Sequence, residues 1–353
     1  MAITYHAGRR IQGTSTDIAS TPAVIGGWKE LDRVTVGAGQ TSVNLDVTSL
    51  TDKRYYMILH NHITDGTAMR IGIKFNGDDA TPYSYYETRN QGSNPRTGDT
   101  NNAGGSELNV TNALNTAENW FGVAYLANKA SENKLYLSHY AGQNATGGYA
   151  PERVELAGKW TKGTDAVNQI TASRVSGGGV ADSGSELIVL GYDPADTHTT
   201  NFWEELASIS GDGTSTTLSS GTITAKKYLW TQIYSDDTSN AVMRFNSDSG
   251  SNYARRGSVD GASDFTVSPT TGSSNLPSSN EGFGNCFIIN NASNEKLGIS
   301  HGIDQGTAGA GTAPTRKEEC FKWANTSDSI TNISWTKTGN WSSNAILKVW
   351  GSN

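Results

Sequence analysis

The sequence predicts an all-β chain built as two tandem, jelly-roll-like β-sandwich domains of similar fold. Three observations predict it: a composition suited to strands and turns, an apolar period of two, and a set of residues that returns in order in the second half. Only 17% of the 353 residues are charged, while 40 are glycine. An ordinary soluble domain carries about 25% charge. Of the strong helix formers, Leu, Glu and Lys are sparse. β-branched and aromatic residues alternate with Gly, Asn, Asp, Ser and Thr, the vocabulary of strands and tight turns. A chain this long can give each of two domains its own core.

The repeat sets the boundaries. Trp28-Lys-Glu-Leu31 returns as Trp203-Glu-Glu-Leu206, and Lys74-Phe75-Asn76 as Arg244-Phe245-Asn246. Asn128 to Leu135, closing on Ser138-His139, returns as Asn290 to Leu297, closing on Ser300-His301. Lys159-Trp160 returns as Lys322-Trp323, and Val189-Leu190-Gly191 as Val349-Trp350-Gly351. Internal self-similarity of this kind marks repeated structural units. The expected organisation is an N-terminal arm over 1–27, a first sandwich over 28–191, a polar linker over 192–202 and a second sandwich over 203–353.

Within each unit, alternation such as Leu135-Tyr-Leu-Ser-His139 reads as strand. The apolar runs Tyr55-Tyr-Met-Ile-Leu59 and Cys286-Phe-Ile-Ile289 are short and bounded by turn residues. Roughly eight such segments per unit suit a jelly roll. A helical turn is expected near 115–118 and near 203–207.

Charge and hydropathy narrow the function. The net charge is −7 and the charges are scattered, which argues against nucleic acid, whose binders carry clustered basic residues. No apolar run is long enough for a membrane-spanning helix. Met1-Ala-Ile-Thr-Tyr-His6 lacks the apolar centre of a signal peptide, so synthesis in a host cytoplasm is expected.

Catalytic and metal motifs are missing. There is no Gly-x-Ser-x-Gly elbow, phosphate loop, Cys-x-x-Cys or His-Glu-x-x-His. His60-Asn-His62 puts two imidazoles on one strand face, but no third ligand accompanies them, and no metal or other cofactor is expected. A glycosidase needs two carboxylates about 5–9.5 Å apart in a cleft, and no pair stands out by spacing. The repeated Trp28/Trp203, Trp160/Trp323 and His139/His301 read as architecture, because residues present in both copies serve what the copies share. Arg153/Arg316 and Lys159/Lys322 read as strand-face charges. Cys286 and Cys320 replace small residues of the first copy, Ala124 and Ala157, which suggests an adjacent thiol pair that bonds only outside a reducing cell. Tyr83, Tyr85 and Tyr86 form the candidate aromatic platform for a glycan.

The arm segment Gly8-Arg9-Arg10-Ile11-Gln12-Gly13, the tandem units and the closing Val189-Leu190-Gly191 and Val349-Trp350-Gly351 together resemble virion structural proteins of tailed phages and related viruses. The resemblance implies a non-enzymatic role in a capsid, its decoration, or a tail or fibre. It implies copies of the chain itself as partners, expected as a closed trimer, with other virion proteins and a host-surface glycan as further partners. Arg9, Arg10, Ile11 and Gln12 are the expected docking residues, since an arm outside a sandwich can add to a neighbour. A carbohydrate-binding module and an extracellular surface or matrix protein are the alternatives.

Overall fold

Strands and turns account for the whole of the described chain: the computed structural model has 26 strands and no helix among the described residues. These are 27–90, 98–111, 118–144, 149–193, 196, 201–236, 240–276 and 281–353. Arg9, Arg10, Ile11 and Gln12 lie outside them.

The first half holds β1 (Lys29–Thr35), β2 (Thr41–Ser42), β3 (Asn44–Val47), β4 (Tyr55–His62), β5 (Met69–Phe75), β6 (Tyr83–Asn90), β7 (Gly98–Gly105), β8 (Leu108–Asn109), β9 (Trp120–Ala127), β10 (Lys134–Gly142), β11 (Glu152–Trp160), β12 (Ile170–Gly177), β13 (Ala181–Asp182) and β14 (Glu186–Tyr192). The second holds β15 (Glu204–Ser210), β16 (Thr217–Ser219), β17 (Tyr228–Ser235), β18 (Ala241–Phe245), β19 (Tyr253–Val259), β20 (Phe265–Thr270), β21 (Asn275–Leu276), β22 (Gly282–Ile289), β23 (Lys296–Asp304), β24 (Thr315–Trp323), β25 (Ile333–Lys337) and β26 (Ile346–Ser352). The stretch expected to hold a helical turn at 203–207 instead enters β15, the edge strand beside β26.

Each half is a large sheet over a small one. The order β1-β14-β4-β9-β10-β11-β6-β7 in one eight-stranded sheet matches β15-β26-β17-β22-β23-β24-β19-β20 in the other, strand for strand. The four-stranded sheets β3-β12-β5-β8 and β16-β25-β18-β21 match likewise. All pairings are antiparallel, and a β-bulge recurs at Leu31 in β1 and Leu206 in β15. The closing glycines follow from it: a side chain at Gly191 would collide with Leu31, and one at Gly351 with Leu206.

The same side chains hold both sandwiches. Tyr83 and Tyr253 each accept a hydrogen bond from a backbone amide, Phe75 at 2.8 Å and Phe245 at 3.1 Å. The indoles of Trp160 and Trp323 donate to Asp78 at 3.0 Å and to Asp248 at 2.7 Å. Asn128 and Asn290 accept from Val167 and Ile330. The buried ammonium groups of Lys134 and Lys296 donate to loop carbonyls, which satisfies charges that burial would otherwise penalise. Fully burying one such aromatic contributes about 1.5–3 kcal/mol.

A third core lies between the halves. Alternate residues of β4 serve two interiors: Tyr56 and Ile58 fill the first sandwich, while Met57 and Leu59 face the second half. In β22, Ile288 fills the second sandwich and Phe287 and Ile289 face the first half. The large sheets therefore pack on each other by their outer faces, giving four layers. This explains the uninterrupted apolar runs of both strands, since a strand covered on both faces has no polar side.

Candidate functional site

The seam between the large sheets is closed on one side of a histidine pair and open on the other. His139 on β10 and His301 on β23 occupy equivalent positions and meet across the seam, Nδ1 to Nε2 at 2.6 Å. On the closed side, Phe121 packs on Tyr228, Cys320 lies against the Tyr140 carbonyl, and Gln143 donates to Glu295 at 3.0 Å. On the other side the apolar side chains are left in water: Leu135 and Leu137 are each 60% exposed, Tyr86 49% and Tyr125 39%. Strand register places Tyr125, Leu137, Ala157 and Tyr86 side by side in one row of the first large sheet. A matching exposed row on the second is Ile346, Tyr234, Phe283 and Ile303. Alternation in β10 thus turns Tyr136 into the sandwich and the two leucines out.

A cleft of about 460 Å³ opens here. Tyr86, Tyr125, Leu137, His139, Glu155 and Ala157 line it from the first sheet, and Asn285, Phe287, Ile299, His301 and Glu318 from the second. Its floor is ionic. Glu155, opposite His139 on β11, contacts His139 Nε2 and Arg153. Arg153, 3% exposed, also reaches Asp264 at 2.5 Å and Glu318 at 3.3 Å. Arg316 reaches Glu318 at 3.2 Å from the rim. Burial alone would raise the Glu155 carboxyl, but His139 and Arg153 outweigh it and hold it well below the usual range. Burial and the Glu155 charge push Glu318 the other way. Burial, with His139 beside it, lowers His301 to about 3, so its ring is neutral at ordinary pH.

The residues singled out by sequence divide unevenly. Tyr83 and Tyr85 are buried in the first sandwich, where the Tyr85 hydroxyl meets Asn109, and only Tyr86 reaches the cleft. The period of two makes a three-tyrosine platform impossible, since neighbours on a strand face opposite ways. Cys286 and Cys320 are both free and buried. They sit on β22 and β24 with β23 between them, two strand spacings or about 9.6 Å apart, which is too far to bond. They also face opposite sides: Cys286 the second sandwich, Cys320 the seam. They are not an adjacent pair. Arg153 and Lys322, expected on a strand face, are buried; Lys322 pairs with Glu295 at 3.1 Å. His60 and His62 are buried with ring centres 6.2 Å apart, and no cluster of three metal-capable side chains occurs among the described residues. Trp28 packs on Tyr125 and Tyr192, and Trp203 on Phe202, Trp230 and Phe287.

The meeting of Glu155 with Glu318 escaped the sequence because 163 positions separate them. The available signal was their recurrence: each lies opposite its histidine, in register, on its own sheet.

No known protein family model and no curated protein matches this chain. A solved structure, "Crystal structure of a Pseudomonas aeruginosa FadL homologue", aligns over 86% of this chain and 92% of its own at 10% identity, with a TM-score of 0.06, far below that of a shared fold.

Proposed function

We propose that this chain is a non-enzymatic virion structural protein, a homo-oligomeric building block of a capsid, its decoration, or a tail or fibre, assembling through its sandwiches and its N-terminal arm. The observation that supports assembly is the open side of the seam, where two apolar rows are left uncovered on faces that elsewhere pack together. Contiguous apolar surface of this kind marks interaction sites on soluble proteins. The ionic floor is consistent with structure rather than turnover. Arg153 binds both Glu155 and Glu318 through one nitrogen, standing where a glycosidase needs room for the glycosidic oxygen. The virion assignment itself draws on the arm, the tandem plan and the resemblance. Negative-stain electron microscopy of the purified full chain tests the assembly: closed rings or trimers are expected, and dispersed single chains would contradict it.

A second reading is glycan binding. Tyr86 and Tyr125 border the cleft, and Asn285 and Glu318 offer groups to sugar hydroxyls. A glycan array supports it only if binding is lost with Tyr86→Ala and Tyr125→Ala.

A further inference from the structure

We propose that the mouth between the large sheets receives the N-terminal segment of this chain, residues 1–26, with Ile11 on the apolar lip and Arg9 and Arg10 at the Glu155 and Glu318 carboxylates. This deepens, and rests on, the reading of that segment as the assembling arm.

Four observations converge on this occupant. The first is where the segment is attached. Lys29 pairs with Gly191, and the next residue of β14, Tyr192, pairs with Tyr55. Tyr55 pairs with Ala127 and Ala127 with Leu135, so β1 starts at the end of the sheet that carries the open lip. The Trp28 ring lies 6.4 Å from the ring of Tyr125, a cleft residue. The segment is therefore tethered at the mouth.

The second is chemistry. Arg9 and Arg10 are its basic residues and Asp17 its one acid, so it is positive where the whole chain is −7. The third is the charge it would meet. Glu155 and Glu318 are the carboxylates that line the cleft, which no lysine or arginine among the described residues lines; Arg153 and Arg256 lie buried behind them with Asp264, and Arg316 sits at the rim. Burial and repulsion from Glu155 raise the Glu318 carboxyl. An arriving guanidinium would relieve that repulsion, through the paired hydrogen bonds arginine makes to carboxylates.

The fourth is fit and reach. Tyr125 to Tyr86 spans three strand spacings, about 14 Å, floored by Leu137 and Ala157, which accepts one extended segment with an apolar side chain turned down. The residues between Gln12 and Trp28 span up to about 54 Å when extended, enough to fold back to the same mouth or cross to that of a second copy.

Disulfide trapping tests the assignment in the full chain. Ile11→Cys is combined with Leu137→Cys at the lip, or with Thr217→Cys on the exposed small sheet of the second half as control. Both native thiols are buried and stay silent. Tethering at the mouth should make the first pair trap about tenfold faster than the control. Arg9→Glu with Arg10→Glu should remove that advantage. Equal trapping of the two pairs, or an advantage unchanged by charge reversal, would overturn the inference. Molar mass read in parallel separates the two proposals. Oligomers without the selective cross-link defeat the mouth and leave assembly standing. A selective cross-link confined to single chains does the reverse.

Discussion

The two halves repeat each other inside their sandwiches and part company on the faces they turn outward. Phe75, Tyr83, Asn128, Lys134 and Trp160 recur as Phe245, Tyr253, Asn290, Lys296 and Trp323, with the same partners. Even an exchange keeps the filling constant. Tyr136 packs on Phe75 at 6.1 Å from β10, and Phe321 packs on Phe245 at 6.1 Å from β24, the next strand over. On the outer faces, the row Met57, Tyr125, Leu137, Ala157, Tyr86 corresponds to Trp230, Phe287, Ile299, Cys320, Arg256, and no residue is kept. Other outward positions keep their residue, among them Phe121/Phe283, Leu135/Leu297, His139/His301, Arg153/Arg316 and Glu155/Glu318, but Phe121 and Leu297 are buried where Phe283 and Leu135 are exposed. A shared interior needs shared residues, whereas outer faces with different neighbours diverge. The first row meets water at Tyr125, Leu137 and Tyr86, while Phe287, Ile299 and Cys320 are covered.

Breaking the comparison should cost most where equivalent residues differ most in burial. Arg153→Ala leaves Glu155, Asp264 and Glu318 without their shared cation and should destabilise by about 3–5 kcal/mol in urea unfolding. Its counterpart Arg316, with a side chain 60% exposed, should change stability by less than about 0.5 kcal/mol on Arg316→Ala. Equal losses would mean the seam is not ionically held. Next, Ile299→Ala should cost about 2–4 kcal/mol, and Leu137→Ala, at the matching position, under about 0.5 kcal/mol in the unassembled chain. Where the halves agree, so should the variants. Trp160→Phe and Trp323→Phe each remove a donor to a turn aspartate and should each cost about 1–2 kcal/mol, within error of one another by thermal unfolding. A large difference would show that the repeated bonds are unequal in worth.

The smallest effect is one of pH. Burial lowers His60 to about 3 and His62 to about 4, and the positions matching them are Ile233 and Ser235. The unfolded chain binds protons near the ordinary histidine value of 6.5 that the folded chain refuses, so stability is full above 6.5 and falls as pH drops toward 4. His60→Ile with His62→Ser should flatten that acid limb relative to the parent. Glu152, raised to about 8 by burial and by Glu118, acts with the opposite sign over rising pH, and it cancels in the difference. Identical pH profiles would contradict the burial of the pair.

Strand content, the repeated side chains and the closing glycines were all legible in the sequence, because each follows from local chemistry. The seam was not, although its signal was present. Tyr55 to Leu59 and Cys286 to Ile289 lack the polar alternation of a one-sided strand, and that absence means cover on both faces. Aligning Cys286 with Ala124 and Cys320 with Ala157 is right by register, yet adjacency did not follow. Matching small residues says nothing of which face, or which strand, lies between. Tyr83, Tyr85 and Tyr86 failed as a platform for the same reason of parity. Glu155 and Glu318 meet only through the packing of two sheets, which no spacing along the chain encodes.

The central claim is that the open side of the seam is a surface for assembly. Light scattering on the full chain and on Leu135→Asp with Leu137→Asp tests it most directly. The account predicts a molar mass at a multiple of 37.5 kDa for the parent and near 37.5 kDa for the variant, with the thermal midpoint of the isolated chain unchanged. A parent that runs as a single chain, or a variant that assembles as the parent does, would contradict it.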